Sequence, residues 1–201
     1  MKLYNKIKWA LGITLIFGLV LTTNLIDRNN FVQVKDSVVN IYEDRLMAKY
    51  HIYEISKLIH DKEIAILKED TIRFEKRLKT INQNINLSIS SYEKTKLTPE
   101  EAEVFQNLKD NLENLEKVEV KFLNNNFEEK SNIVGLLDET TEILDALSQI
   151  QLTEGNRQMN ITKRAVEDIE LFTQLEIYFL IFLAILIQIV ILYNPKTKKP
   201  D

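Results

Sequence analysis

With 201 residues, 45% hydrophobic and 28% charged, a net charge of −4, four Gly, three Pro and no Cys, the chain rules out several classes from its totals alone. So few Gly and Pro argue against a loop-rich β-sandwich or a Gly-rich nucleotide-binding fold, and zero Cys excludes a disulfide scaffold, a thiolate zinc site and a cysteine nucleophile. The apolar residues are gathered towards the two ends, so these averages mix a membrane part with an aqueous one.

Residues 1–8 form a short tail carrying Lys2, Lys6 and Lys8. Residues 9–26 then run for 18 residues without a charge, from Trp9 to Ile26. At about 1.5 Å per residue they cover roughly 27 Å, close to the hydrocarbon thickness of a bilayer. A cleaved signal peptide is the competing reading. Against it, the run exceeds the roughly 7 to 15 apolar residues of such a peptide, and Leu21-Thr22-Thr23-Asn24 offers no small-x-small cleavage site. A second uncharged run, 177–193, is the core of a span assigned to residues 175–193, and Lys196, Lys198 and Lys199 follow it in a tail of residues 194–201. Lys-bearing tails place both termini on the cytoplasmic side of the membrane, with Tyr4, Trp9, Tyr178 and Tyr193 at headgroup level. Thr14, Thr22, Asn24 and Gln188 are read as helix-helix contacts. Gly12 and Gly18 lack the four-residue spacing of a close-contact dimer motif. The two tails carry +3 and +2, which leaves −9 for the section between them. That exported, acidic section is a poor partner for nucleic acid and anionic lipid.

Residues 27–174 contain only Pro99, Gly135 and Gly155 as breakers, so long helices are predicted. The first, 27–67, carries an apolar stripe through Phe31, Val34, Val38, Ile41, Ile52, Ile55, Ile59 and Ile66, with Arg45, Ala48 and Lys62 filling the remaining places. The second, 71–93, has Phe74, Leu78, Ile81, Ile85, Ile89 and Tyr92 on one face; the third, 99–124, has Phe105, Leu108, Leu112, Leu115, Val118 and Phe122. The fourth, 131–174, runs through Val134, Leu137, Leu144, Leu147, Ile161, Ala165, Ile169 and Phe172. Turns are expected near Lys68 to Asp70 and at Asn124-Asn125-Asn126. Thr98-Pro99-Glu100-Glu101 supplies a capping hydroxyl, a Pro at the first helical position and a Glu reaching back to the cap. Four amphipathic stripes cover one another in a bundle. The predicted fold is all-α: an antiparallel up-down four-helix bundle whose long first and fourth helices continue into two transmembrane helices. Opposite charges facing across the stalk, Asp36 with Arg164, Lys35 with Glu167, and Glu43 and Asp44 with Arg157, set its register.

Ile41-Tyr42-Glu43-Asp44-Arg45-Leu46, on a helix leaving a first span and followed by the stripe through Ile55 and Ile59, resembles the four-helix-bundle sensory domain of bacterial methyl-accepting chemotaxis receptors. The Thr98-Pro99-Glu100-Glu101 start and Leu144-Asp145-Ala146-Leu147 are similar to later landmarks of that family. The similarity covers about residues 5–193. Met47 and Ala48 stand where the family usually has Pro, and residues 194–201 leave no room for the linker and methylated hairpin. The resemblance implies a periplasmic ligand-sensing module, often dimeric, whose fourth helix passes movement to the second span. Without its own output, it is expected to act as a homodimer or in mixed pairing with a receptor, kinase or other membrane protein.

Catalytic residues, cofactors and metals are not expected. His51 and His60 lie about 180° apart on a helix and cannot share an ion. Arg45, near the apolar seam, is expected to pair with Glu43 or Asp44 or with the fourth helix near Asn156. The resemblance points to the distal first and fourth helices for ligand binding, but the first helix holds only Arg28 and Arg45, too few for the family's multi-Arg recognition of an amino-acid carboxylate. Tyr53, Lys57, His60 and Thr141 are the candidates at that height, with solvated surface as the alternative; Arg73 and Arg77 read as a solvated face. The competing function is a passive two-span scaffold of the envelope.

Overall fold

A computed structural model of the chain describes residues 3–68, 71–124 and 130–192. The expected turn residues 69–70, Asn125, Asn126, the tail residues Lys2, Lys196, Lys198 and Lys199, Tyr193, and the side chains of Tyr4, Lys6, Lys8, Trp9, Arg73 and Phe74 lie outside what is described. Helices α1 (Leu3–Asn40), α2 (Met47–Lys68), α3 (Thr71–Tyr92), α4 (Pro99–Asn124) and α5 (Lys130–Leu192) make up the fold, with a π-helical segment at Ile41–Leu46 between α1 and α2. The chain divides into two compact units, Met1–Ser37 with Asn160–Asp201, and Val38–Met159.

The unit Val38–Met159 is a bundle of four helical stretches, the last being the first half of α5. Its seam follows the three- and four-residue steps of the sequence. Ala48, Ile52, Ile55, Ile59, Ala65 and Ile66 of α2 are buried against Leu78, Ile81, Ile85, Ile89 and Tyr92 of α3 and Phe105, Leu108, Leu112, Leu115, Val118 and Phe122 of α4. α5 adds Ile133, Leu137, Leu144 and Leu147. Val134, expected to lead this last stripe, is half-buried, and its neighbour Ile133 takes the core position. At about 1.5 to 3 kcal/mol for each large apolar side chain removed from water, this seam is the main force holding the four helices together.

Two neighbouring features differ from the expected pattern. The predicted single helix 27–67 is interrupted at Ile41–Leu46, where the Met47 amide donates to the Tyr42 carbonyl five residues back. Phe31 and Val38, assigned to the seam, are 66% and 54% exposed, while Ser37 is buried. Upstream of the π segment, the less exposed positions include Thr23, Asp27, Asn30, Val34 and Ser37. From Ser37 through Ile41 to Arg45 there are two consecutive four-residue steps, eight residues in two turns, where an α-helix uses about seven. The wider π turn absorbs the extra residue, and Phe31 and Val38 fall off the face that a continuous α-helix would have given them.

In the other unit, Thr22, Thr23 and Asn24 of the first apolar run bond to their own helix. Thr22 Oγ1 donates to the Gly18 carbonyl at 2.8 Å and Asn24 Nδ2 to that of Val20 at 3.0 Å. This satisfies them without a neighbouring helix. Likewise Glu167, expected opposite Lys35, lies 3.9 Å from Lys163 one turn earlier in α5. Among the described residues, α5 is the one helix long and apolar enough to cross a membrane; its 18-residue apolar window has a mean hydropathy of 1.9 and no buried residue. Leu15, Phe17, Leu21 and Leu25 of α1 are exposed.

Candidate functional site

Pro99 opens α4 at its first position, where a missing amide costs nothing, and Thr98 precedes it as the cap. The Glu101 amide donates to Thr98 Oγ1 and the Thr98 amide to Glu101 Oε2, both at 3.2 Å, forming the reciprocal capping box expected from the sequence. Glu101 has a second role that follows from its phase. It lies four residues before Phe105, on the apolar stripe of α4, and is fully buried. A buried carboxylate needs a partner, and Arg45 of the π segment supplies it at 2.7 Å.

Arg45 was expected to pair locally with Glu43 or Asp44, or with α5 near Asn156. Its guanidinium turns away from Glu43 and Asp44 into the bundle, where it does reach α5, but at Gln151: Nη1 donates to Glu101 Oε2 and, at 3.2 Å, to Gln151 Oε1, and Nη2 donates to the Lys96 carbonyl. Local partners are unfavourable because Glu43 faces solvent and the Asp44 carboxylate accepts the Lys96 amide at 3.0 Å. The layer is closed by Tyr92, whose hydroxyl donates to Glu101 Oε1 at 2.7 Å, and by Gln151, whose amide donates to Glu101 Oε1 and to the Tyr92 hydroxyl. The Tyr92 ring stacks on Phe105 at 4.5 Å. Burial, and then the adjacent Glu101 carboxylate, hold the Tyr92 hydroxyl well above the usual tyrosine range, so it stays a donor. One residue from each helical stretch thus meets in a single satisfied layer: Arg45, Tyr92, Glu101 and Gln151.

Two further polar ties occupy core positions. Lys62 of α2 and Glu119 of α4, both buried, are 2.6 Å apart, and Asn82 of α3 donates to Glu119 at 3.0 Å. Thr140 of α5 meets Asn111 of α4 at 2.7 Å. The sequence signal for all of these is a polar residue in stripe phase, as with Lys62 between Ile59 and Ile66, Gln151 four residues after Leu147, and Thr140 between Leu137 and Leu144.

The ligand candidates are partly brought together. His60 and Thr141 line one surface groove of about 500 Å³ between α2 and α5, together with Ser56, Glu63, Asp138 and Glu142 over an apolar floor of Ile59 and Leu137. His60 Nδ1 lies 3.4 Å from Glu63, and the Thr141 hydroxyl donates to the Leu137 carbonyl at 3.0 Å. Tyr53, 63% exposed, and Lys57, also exposed, share the His60 side of α2 but are not among the lining residues. Arg77 is exposed. His51 packs edge-on against Tyr50 at 5.3 Å, and partial burial, opposed by Glu54, lowers its pKa below the usual 6.5. Among the described residues, no three His, Cys, Asp or Glu side chains converge as a metal site. A second, more apolar groove of about 260 Å³ runs over Ile41, Leu46, Leu152, Gly155 and Met159, beside Arg45 and Gln151. Arg157, expected across from Glu43 and Asp44, binds Glu154 of its own helix at 2.7 Å.

A family model described as a four helix bundle sensory module for signal transduction matches residues 1–166. No curated protein and no solved structure matches the chain.

Proposed function

The chain belongs to the four-helix-bundle sensory modules of chemoreceptor type, and from that premise we propose that it is a membrane-anchored, non-enzymatic periplasmic sensor that acts through a partner membrane protein. In this reading the bundle is antiparallel, residues 27–174 are exported, and residues 9–26 and 175–193 cross the inner membrane with both termini in the cytoplasm. The partner is a second copy, or a receptor, kinase or other membrane protein paired with it. The apolar window of α5, wholly unburied, supports the anchoring.

The observation that carries the sensory reading is the groove lined by His60 and Thr141, since it has one wall on α2 and the other on α5. A small molecule seated there, with Tyr53 and Lys57 at its rim, touches the two helices that lead towards the apolar runs. Its binding energy then bears on their relative position.

The test is a small-molecule thermal-shift screen on the full chain in detergent, with His60→Ala and Thr141→Ala alongside. A ligand present at 100 times its Kd adds about 2.7 kcal/mol of stability, and both substitutions should reduce that shift. No stabilising compound, together with recovery of envelope-assembly proteins from cross-linked membranes, would favour the passive scaffold. Reporter fusions placing residues 27–174 in the cytosol would end both readings.

A further inference from the structure

The π segment joins two stretches of helix whose buried faces do not follow one α-helical repeat. Downstream, Arg45, Ala48, Ile52, Ile55 and Ile59 are buried. Counting back in sevens from Arg45, Ile52 and Ile59 leads to Val38 and Phe31, which are exposed, while their neighbours Ser37 and Asn30 are buried or half-buried; counting back from Ala48 and Ile55 leads to Ile41 and Val34, which are half-buried. The face turned inward is also chemically the poorer one: Asp27 Oδ1 and Asn30 Nδ2 are buried without a hydrogen-bond partner. Two large apolar side chains therefore lie in water while their polar neighbours Asn30 and Ser37 turn inward, the Asn30 amide without a partner, a local conflict between sequence and packing.

We propose that Ile41–Leu46 is a register switch: conversion of its π turn to α turns the preceding helix by at most one residue, roughly 100°, so that Phe31 and Val38 replace Asn30 and Ser37 on the inner face. Val34 stays at the seam in both states, and the bundle from Ala48 onward is unchanged. Two ties hold the π state. Asp44 and Arg45 lie inside the segment, and both are fastened to Lys96, Asp44 to its amide and Arg45 to its carbonyl. Moving the hydrogen-bond ladder from five-residue to four-residue spacing has to displace both. Since α1 is unbroken from Leu3 to Asn40, the turn is carried along its whole length. Each state has its own advantage, anchored polar contacts in one and apolar burial in the other, which is what a two-state element requires.

The chain has no Cys, so single cysteines report the inner face directly. In the full chain in detergent, Ser37→Cys should react slowly with a maleimide and Val38→Cys quickly. Adding Asp44→Ala, which cuts one tie and leaves the Arg45–Glu101 pair whole, should speed labelling at position 37 and slow it at position 38, each by about tenfold for a population shift of that size. Asn30→Lys, which leaves both ties whole but penalises the present inner face, should shift the two sites in the same opposed directions. Deleting Glu43 shortens the interval from Ser37 to Arg45 to seven residues and fixes Ser37 inside an ordinary α-helix, so the Asp44→Ala effect should vanish in that background. Ala48→Cys should stay protected throughout. Labelling that rises at positions 37 and 38 together, which is local melting, or that changes at neither site, overturns the proposal.

Discussion

Two buried ion pairs tie the bundle across its seam, and they are built differently. At Arg45–Glu101, a planar guanidinium divides its donors among a carboxylate, an amide oxygen and a main-chain carbonyl, and both oxygens of Glu101 are occupied. At Lys62–Glu119, an ammonium lies 2.6 Å from one oxygen, and the Asn82 carbonyl is left buried without a partner. Arg suits a fixed, many-armed site because its fork is rigid, whereas Lys supplies a point charge on a flexible stem. The first pair therefore positions a particular layer of four residues, while the second closes a gap in the core.

Substitution should separate them. Arg45→Ala leaves Glu101 buried and unpaired, and should lower stability by about 3 to 5 kcal/mol, read as a fall in the urea midpoint; no change in melting would remove Arg45 from its structural role. At the other pair, Lys62→Ala alone should be costly for the same reason. The double change Lys62→Met with Glu119→Leu should bring stability back to within about 1 kcal/mol of the parent or above it, because well-packed apolar residues often replace a buried pair without loss. The corresponding apolar double change at Arg45 and Glu101 should recover much less, since it also removes the acceptor of the Thr98 amide and the partners of Tyr92 and Gln151.

Smaller effects sharpen the same contrast. Thr98→Ala removes half of the capping box that orients Glu101, and should cost about 1 kcal/mol. Tyr92→Phe tests the layer through pH. The folded hydroxyl titrates above its unfolded value of 10.0, so it contributes stability that is fully present below pH 10 and falls away as the unfolded chain ionises above it. The parent should therefore lose stability more steeply than Tyr92→Phe above pH 10; parallel curves would show that Tyr92 is not held in this way. The smallest change belongs to an exposed pair, Lys117 with Glu113 at 2.5 Å one turn apart on α4. Lys117→Ala should alter stability by less than about 0.5 kcal/mol.

Four helical segments, the Thr98 cap of α4 and most of the core positions were legible in the chain, because an apolar residue every three or four places can be buried only on a helix packed against others. The same phase rule marks Glu101, Lys62, Thr140 and Gln151 as core positions, so their burial could be read from the stripe. Their partners could not: Arg45 and Glu101 are 56 residues apart, and nothing local distinguishes that acid from the adjacent Asp44. The groove was half legible, since a helical period puts Tyr53, Lys57 and His60 on one side of α2, but only packing against α5 decides that His60 meets Thr141 while the other two stay at the surface.

By itself, then, the sequence determined the helices, the apolar ends and the acidic middle, all of which follow from short-range spacing and composition. The tertiary structure alone decided which charge answers which, and where the first helix departs from its own repeat. Local periodicity at Phe31 and Val38 favours one face, the ties from Asp44 and Arg45 to Lys96 hold the helix on another, and contacts made across half the chain have no signature in any short window of it.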